Sequence, residues 1–358
     1  MAQCRLCNTE AIYISKEIGV CLKCIRERTE DALLVTRGAH IRSRIAFGLP
    51  EEPQKDPEGI PCNICVNECR IPENKMGYCG LRKNERGRLI GVSPEEGKLS
   101  WYYDLLPTNC VADWVCPAGT GAGYPVYAYC QGPEFGYKNL AVFFHACSFN
   151  CLYCQNWHFR EETLRPYITS IEKLVSDVDK RTSCICYFGG DPAPQLLFAL
   201  RASRTALKRN KERILRICWE TNGSMHKGLL DKMIELSLNS GGCIKFDLKA
   251  WDENLHIALT GITNKRTLEN FQRAGEKIKL RPQPPLLIAS TLLVPGYTDE
   301  DEIRGIARFI AGINPEIPYR LLAFYPHFYM SDMPLTTKAM AQRCLKVAQE
   351  EGLRNVHL

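Results

Sequence analysis

From Leu140 onward, short runs rich in apolar, β-branched and aromatic residues alternate with longer stretches whose apolar positions recur at helical spacing. The short runs predict strands at Leu140–Phe144, Cys184–Phe188, Leu215–Glu220, Cys243–Asp247, Leu286–Val294 and Tyr319–Tyr325. The longer stretches predict helices at Ser170–Arg181, Gln195–Asn210, Lys227–Leu238, Arg266–Ile278, Asp299–Ala311 and Thr337–Gly352. Strands separated by helices pair in parallel through right-handed crossovers. Six such units fall short of a closed eight-unit barrel. The expected fold class is therefore α/β, a partial (β/α)6 barrel over residues 140–358, or a curved open sheet.

Each predicted strand ends in a polar or glycine-rich cluster, and in parallel α/β barrels the C-terminal strand ends build the active site. The first strand runs into Cys147, Cys151 and Cys154, a Cys-x3-Cys-x2-Cys triplet. Three thiolates this close can ligate three irons of a cubane and leave the fourth open, whereas most clusters that only carry electrons have four cysteine ligands. Three buried thiols, or part of a zinc site, are the plainer readings. The next strands end at Gly189-Gly190-Asp191-Pro192, Glu220-Thr221-Asn222-Gly223 and Asp247-Leu248-Lys249. Two glycines permit close backbone approach, and Asp191 is placed to accept from an ammonium group. Asp247 and Lys249, two apart, share a strand face and suit an amphoteric cofactor, as do Glu220 and Asn222. Taken singly, these are an ordinary turn and a surface pair; together, in phase, they point to one rim.

Composition narrows the setting. Hydrophobic content of 45% and charged content of 24% are those of an ordinary soluble domain. The balance of 46 basic against 40 acidic residues, +6, is too small and dispersed to indicate nucleic acid. No apolar run approaches the roughly 18 residues of a membrane span, and the start Met-Ala-Gln-Cys lacks the apolar stretch of a signal peptide. Nineteen cysteines without an export signal imply reduced, metal-binding thiols. The expectation is a cytoplasmic protein from an oxygen-poor setting, with no membrane partner.

The runs Cys-Ser-Phe-Asn-Cys-Leu-Tyr-Cys-Gln-Asn, Phe-Gly-Gly-Asp-Pro, Glu-Thr-Asn-Gly, Asp-Leu-Lys-Ala-Trp-Asp-Glu and Leu-Val-Pro-Gly-Tyr-Thr-Asp occur in that order. They resemble the pyruvate formate-lyase-activating-enzyme branch of the radical S-adenosylmethionine (SAM) superfamily. The tail from Leu321 to Thr337 and the cysteine-rich front are more similar to AmmeMemoRadiSam-type relatives. The resemblance implies a [4Fe–4S] cluster on Cys147, Cys151 and Cys154, and Tyr153 near the adenine of SAM. It also implies SAM contacts from Gly189, Gly190, Asp191, Asn222, Asp247 and Lys249. Reductive cleavage would then yield a 5′-deoxyadenosyl radical that abstracts hydrogen from a protein or peptide substrate, with electrons from a ferredoxin- or flavodoxin-type donor. Radical modification of a small molecule or RNA is the second reading, and an iron–sulfur electron-transfer or scaffold protein the third.

The front holds two more four-cysteine sets. Cys4, Cys7, Cys21 and Cys24 form two Cys-x2-Cys turns 13 residues apart, close to a zinc-ribbon knuckle, with zinc the first choice, in a module spanning 1–47. After a Pro/Glu/Gly-rich linker at 48–60, Cys62, Cys65, Cys69 and Cys79 form an irregular set within 61–100 that fits zinc or an auxiliary [4Fe–4S] cluster. The basic stretch Ile25–Ile45 reads as a solvated helix, and 101–139 as an approach to the barrel. Cys110, Cys116 and Cys130 there either line the active site or are buried thiols, the second being the plainer reading, and Cys184, Cys186, Cys218, Cys243 and Cys344 in predicted elements read as small core residues.

Overall fold

A computed structural model describes residues 1–358. Its centre is one eight-stranded sheet whose strands lie side by side in chain order. They are β1 (Leu99–Leu105), β2 (Lys138–Phe144), β3 (Thr182–Gly189), β4 (Arg216–Thr221), β5 (Ile244–Asp247), β6 (Leu287–Leu293), β7 (Tyr319–Ala323) and β8 (Val356–His357). Strands β2 to β8 are parallel; β1 is antiparallel to β2, with Leu99 opposite Phe144. All six predicted strands are present, as β2 to β7. The sheet exceeds the expected six strands at both ends, because β1 and the two-residue β8 add to its edges.

Helices return the chain between strands: α3 (Ile171–Ser176), α4 (Leu196–Arg209), α5 (Lys227–Ser240), α6 (Glu253–Thr260), α7 (Lys265–Gly275), α8 (Glu300–Ile313) and α9 (Lys338–Glu350) follow α1 (Leu22–Glu27) and α2 (Thr29–Ile45) of the front. Ser170, Asp252, Asp299 and Thr337 start four of them by accepting from the backbone N–H three residues on. Helix α3 stops well before the predicted Arg181. Asp179 Oδ1 accepts from the N–H groups of Arg181 and Thr182, at 2.9 and 3.1 Å, and turns the chain into β3. Helices and sheet enclose a core of 44 buried residues, with Trp219 stacked on Tyr187 at 4.6 Å.

Two expectations for the front half are corrected. Residues 101–139 are more than an approach: after β1, the segment 106–137 folds against the sheet, where Leu106 and Ala118 pack on Cys184 and Ala112 on Cys243 and Ile288. It is pinned by Glu134, fully buried, which accepts from Arg216 Nη1 at 2.7 Å and from Ser183 Oγ at 2.8 Å. Burial works against the Glu134 charge, and the Arg216 fork overrides it, holding the carboxyl below its usual range. The stretch Ile25–Ile45 is not a solvated helix. It is split between α1 and α2, and α2 buries Ala32, Thr36, Ala39, His40 and Ser43 while packing on α6.

Candidate active site

The loop after β2 carries the three cysteines, and its course is set by bonds from three directions. Asn150 N–H donates to Thr260 O at 2.8 Å and Leu152 N–H to Leu259 O at 3.0 Å, tying it to the end of α6. Asn150 Nδ2 reaches Ser43 Oγ of α2 at 2.7 Å, and Arg160 Nη2 donates to Asn150 Oδ1 at 3.1 Å. Tyr329 N–H, from the tail, donates to Leu152 O at 3.0 Å. Cys151 is buried; Cys147 and Cys154 are partly open.

The other strand ends close round this loop. At Gly189, φ is +104°, and at Gly190 an added Cβ would stand 2.3 Å from Ala146 O, so both positions require glycine. Their backbone hooks onto the cysteine loop: Gly190 N–H donates to Phe144 O at 2.9 Å and Asp191 N–H to Ala146 O at 2.8 Å. Asp191 is buried, and its carboxylate accepts from Ala193 N at 2.7 Å, Asn222 N at 2.6 Å and Thr221 Oγ1 at 3.2 Å. It braces two strand-end loops instead of standing free to meet an ammonium group. Asn222 Nδ2 donates to Ser148 Oγ at 2.9 Å and lies 3.7 Å from Cys147 Sγ.

Cys147, Cys151, Tyr153, Cys154, Gly189, Gly190, Asp191, Glu220, Asn222, Asp247 and Lys249 all line one cleft, of about 250 Å³. The eleven residues that the sequence marked for a cluster and a cofactor are thus brought together. Lys249 pairs with Asp247 Oδ2 and lies 5.7 Å from the centre of the buried Tyr153 ring. Asp247 Oδ1 is buried without a partner, an acceptor left for a bound molecule. Burial pushes the Cys151 thiol up to about 11, against the pull of Lys249, so metal binding would release its proton.

Two features of the cleft escaped the sequence reading. Arg160 lines it, buried, with Nε and Nη1 unpartnered, a cation beside three thiols. No motif marks it, because the short helix Phe159–Thr163 sets its position. Lys245 also lines the cleft; its Nζ lies 2.9 Å from Glu220 Oε1 and 3.2 Å from the sulfurs of Cys110 and Cys186. Its signal was available: a lysine inside an apolar strand, in phase with Asp247 and Lys249. Cys110 thus lies against Lys245 and next to Val111, both of which line the cleft.

The eight cysteines of the front divide. Cys4, Cys7, Cys21 and Cys24 place all four sulfurs within 4.8 Å of one another, with contacts of 3.7 Å for Cys4–Cys24 and Cys7–Cys21. Thr9, 3.3 Å away, and its backbone hold the Cys7 thiol down to about 6, so a thiolate is available at neutral pH. Cys62, Cys65, Cys69 and Cys79 line a separate pocket.

Residues 141–310, from β2 into α8, match the family model described as the radical SAM superfamily. Over these residues the chain is similar to that superfamily. A Methanocaldococcus jannaschii protein provisionally named a glycyl-radical enzyme activating enzyme is 29% identical over 191 residues, 52% of this chain and 67% of its own length. A second protein of that organism, described as uncharacterized, is 24% identical over 311 residues, 85% of this chain and 82% of its own. The pyruvate formate-lyase 1-activating enzyme of Escherichia coli is 25% identical over 168 residues, 45% of this chain and 63% of its own. The matched region covers most of the strand ends and loops that line the cleft. No helix of the protein is long and apolar enough to cross a membrane.

Proposed function

We propose that this chain is a radical SAM enzyme acting on a protein or peptide. When bound, a [4Fe–4S] cluster and SAM supply a 5′-deoxyadenosyl radical able to abstract a hydrogen atom. The observation that carries the reading is the convergence of eleven sequence-marked residues on one cleft. Cys147, Cys151 and Cys154 would hold the cluster, with Arg160 offsetting the charge of three thiolates. Lys249 and Asp247, of opposite charge, would orient the amphoteric methionine part and the ribose, and Tyr153 would bound the adenine. Gly189, Gly190, Asp191 and Asn222 would hold the cleft wall against the cysteine loop. The residues fit these groups: the donors are three thiols, the two glycines let the cleft wall close on the cysteine loop, and one buried carboxylate oxygen has no partner. The reading includes a low-potential donor of ferredoxin or flavodoxin type. The glycyl-radical-activase names among the relatives favour a protein substrate.

The front set Cys4/Cys7/Cys21/Cys24 we read as a structural zinc site. A tetrahedral ion with Zn–S bonds of about 2.3 Å spaces its sulfurs about 3.8 Å apart, and the contacts of 3.7 Å support that geometry.

The test is anaerobic reconstitution with iron and sulfide, reduction, and incubation with SAM. Formation of 5′-deoxyadenosine is expected, and Cys151→Ala should abolish it. An intact cluster that yields no 5′-deoxyadenosine, or cleavage retained in the variant, would sink the assignment.

A further inference from the structure

The chemistry above leaves Cys62, Cys65, Cys69 and Cys79 unused. Cys62 and Cys69 face each other across the two-stranded ribbon formed by Ile60–Cys62 and Cys69–Ile71. All four cysteines line one pocket, with Asn67 and Arg82. Cys65 and Cys69 are buried, so this is no chance surface grouping.

The two front sets differ in width. The first gathers its sulfurs around a point; the second lines a pocket and forms no comparable group within 4.8 Å. One tetrahedral ion needs sulfurs about 3.8 Å apart. A four-iron cubane takes each thiolate at a different corner, so its ligands stand farther apart, around an enclosed volume. The second set, whose four cysteines line one pocket without gathering their sulfurs within 4.8 Å, suits the wider ligand set.

Its placement is equally specific. Val66 N–H donates to Ser224 O and His226 N–H to Ile64 O, both at 2.8 Å, docking the module on the loop after β4. Asn67 Nδ2 donates to Ser148 O at 2.8 Å and lies 3.7 Å from Cys65 Sγ. Ser148 Oγ accepts from Asn222 Nδ2, which lies 3.7 Å from Cys147 Sγ. Two side-chain amides and one serine, all buried, thus span the gap between a sulfur of the second set and a sulfur of the active-site triplet.

We propose that Cys62, Cys65, Cys69 and Cys79 ligate an auxiliary [4Fe–4S] cluster that relays one electron to the active-site cluster; the relay, though not the ligation, rests on the proposed function. One electron leaves a reduced donor of ferredoxin or flavodoxin class, reduces the auxiliary cluster, and passes on, returning that cluster to its oxidised state. No covalent bond in the chain forms or breaks, and no proton moves.

The decisive sample is the full chain with Cys147→Ala, Cys151→Ala and Cys154→Ala together, reconstituted anaerobically with iron and sulfide. It should retain about four iron and four sulfide and give, on reduction, an electron paramagnetic resonance signal that added SAM does not alter. Zinc at this set without iron overturns the proposal. Should that variant not fold, Cys62→Ala with Cys65→Ala serves instead: iron should fall from about eight to about four, leaving the SAM-responsive signal. Unchanged iron overturns the assignment. With reduced flavodoxin as donor, the same double variant should lose the fast phase of reduction of the SAM-responsive cluster; an unchanged rate overturns the relay. Iron counts are independent of SAM cleavage, so failure of the enzyme reading would leave them standing.

Discussion

The barrel and the cysteine-rich front are held by different means. The barrel encloses 44 buried residues between its sheet and helices. The front has only ribbons of two to four residues and two helices, and its buried Ile14, Ile18, Val20 and Ile25 share a cluster with Phe149, Leu152, Leu255 and Tyr297 of the barrel. What looks like an appendage has no core to itself. In return it fixes the loop that matters most, since Ser43 and His40 of α2 both meet Asn150 between the cluster-loop cysteines. The barrel shapes the cleft, and the front holds one wall of it in place.

The largest break in this comparison should come from the zinc site proposed at the front. Cys4→Ser with Cys24→Ser removes two of four ligands, and structural zinc in small modules contributes on the order of 10 kcal/mol to folding. Limited proteolysis should then cut within residues 1–28, while amide exchange in β3 to β6 stays slow. An unaltered cleavage pattern would mean that docking on the barrel alone holds the front.

A smaller break tests the barrel by itself. Arg216→Met leaves Glu134 buried and unpaired, and losing one partner of such a pair costs about 3–5 kcal/mol. Denaturant unfolding should show that loss, and Arg216→Met with Glu134→Leu should recover most of it. If the single variant is as stable as the parent, the plug 106–137 is held by its apolar contacts.

The same contrast governs what the sequence revealed. The barrel strands were readable because each apolar run stops at a polar or glycine cluster, and both facts follow from burial between helices. Strand β1 was not, since Trp101, Tyr102, Tyr103 and Leu105 lie on a sheet edge with no clean alternation, and Leu105 is 73% exposed. Helix α6 went unmarked as a helix although Asp252 caps it and Gly261, at φ +77°, ends it; its eight residues are too few for a periodic signal. In the front, thiol spacing marked both four-cysteine sets, but whether four sulfurs close on a point or line a wider pocket depends on how the ribbons cross. The cleft residues were found because strand phase places them, whereas Arg160 depends on a one-turn helix that no pattern marks.

The finest test lies at the seam, where two histidines are buried neutral. His40 Nε2 lies 3.1 Å from Ala258 O, and its Nδ1 faces Asn150 Nδ2 at 3.2 Å; Arg44 is the charged neighbour. His256 Nδ1 lies 2.6 Å from Ile262 O, with Lys249 and Glu253 nearby. Burial pulls both imidazoles down to about 4. An unfolded imidazole takes its proton near pH 6.5, so between that pH and about 4 the unfolded state binds more protons. Stability is therefore fully present above pH 6.5 and falls as the pH drops, by about 2 kcal/mol per histidine near pH 5. Denaturant unfolding near pH 7 and pH 5 should show this fall, and His40→Gln should remove close to half of the histidine share. An unchanged pH slope in that variant would mean that the seam opens to water before it unfolds, letting His40 protonate in place.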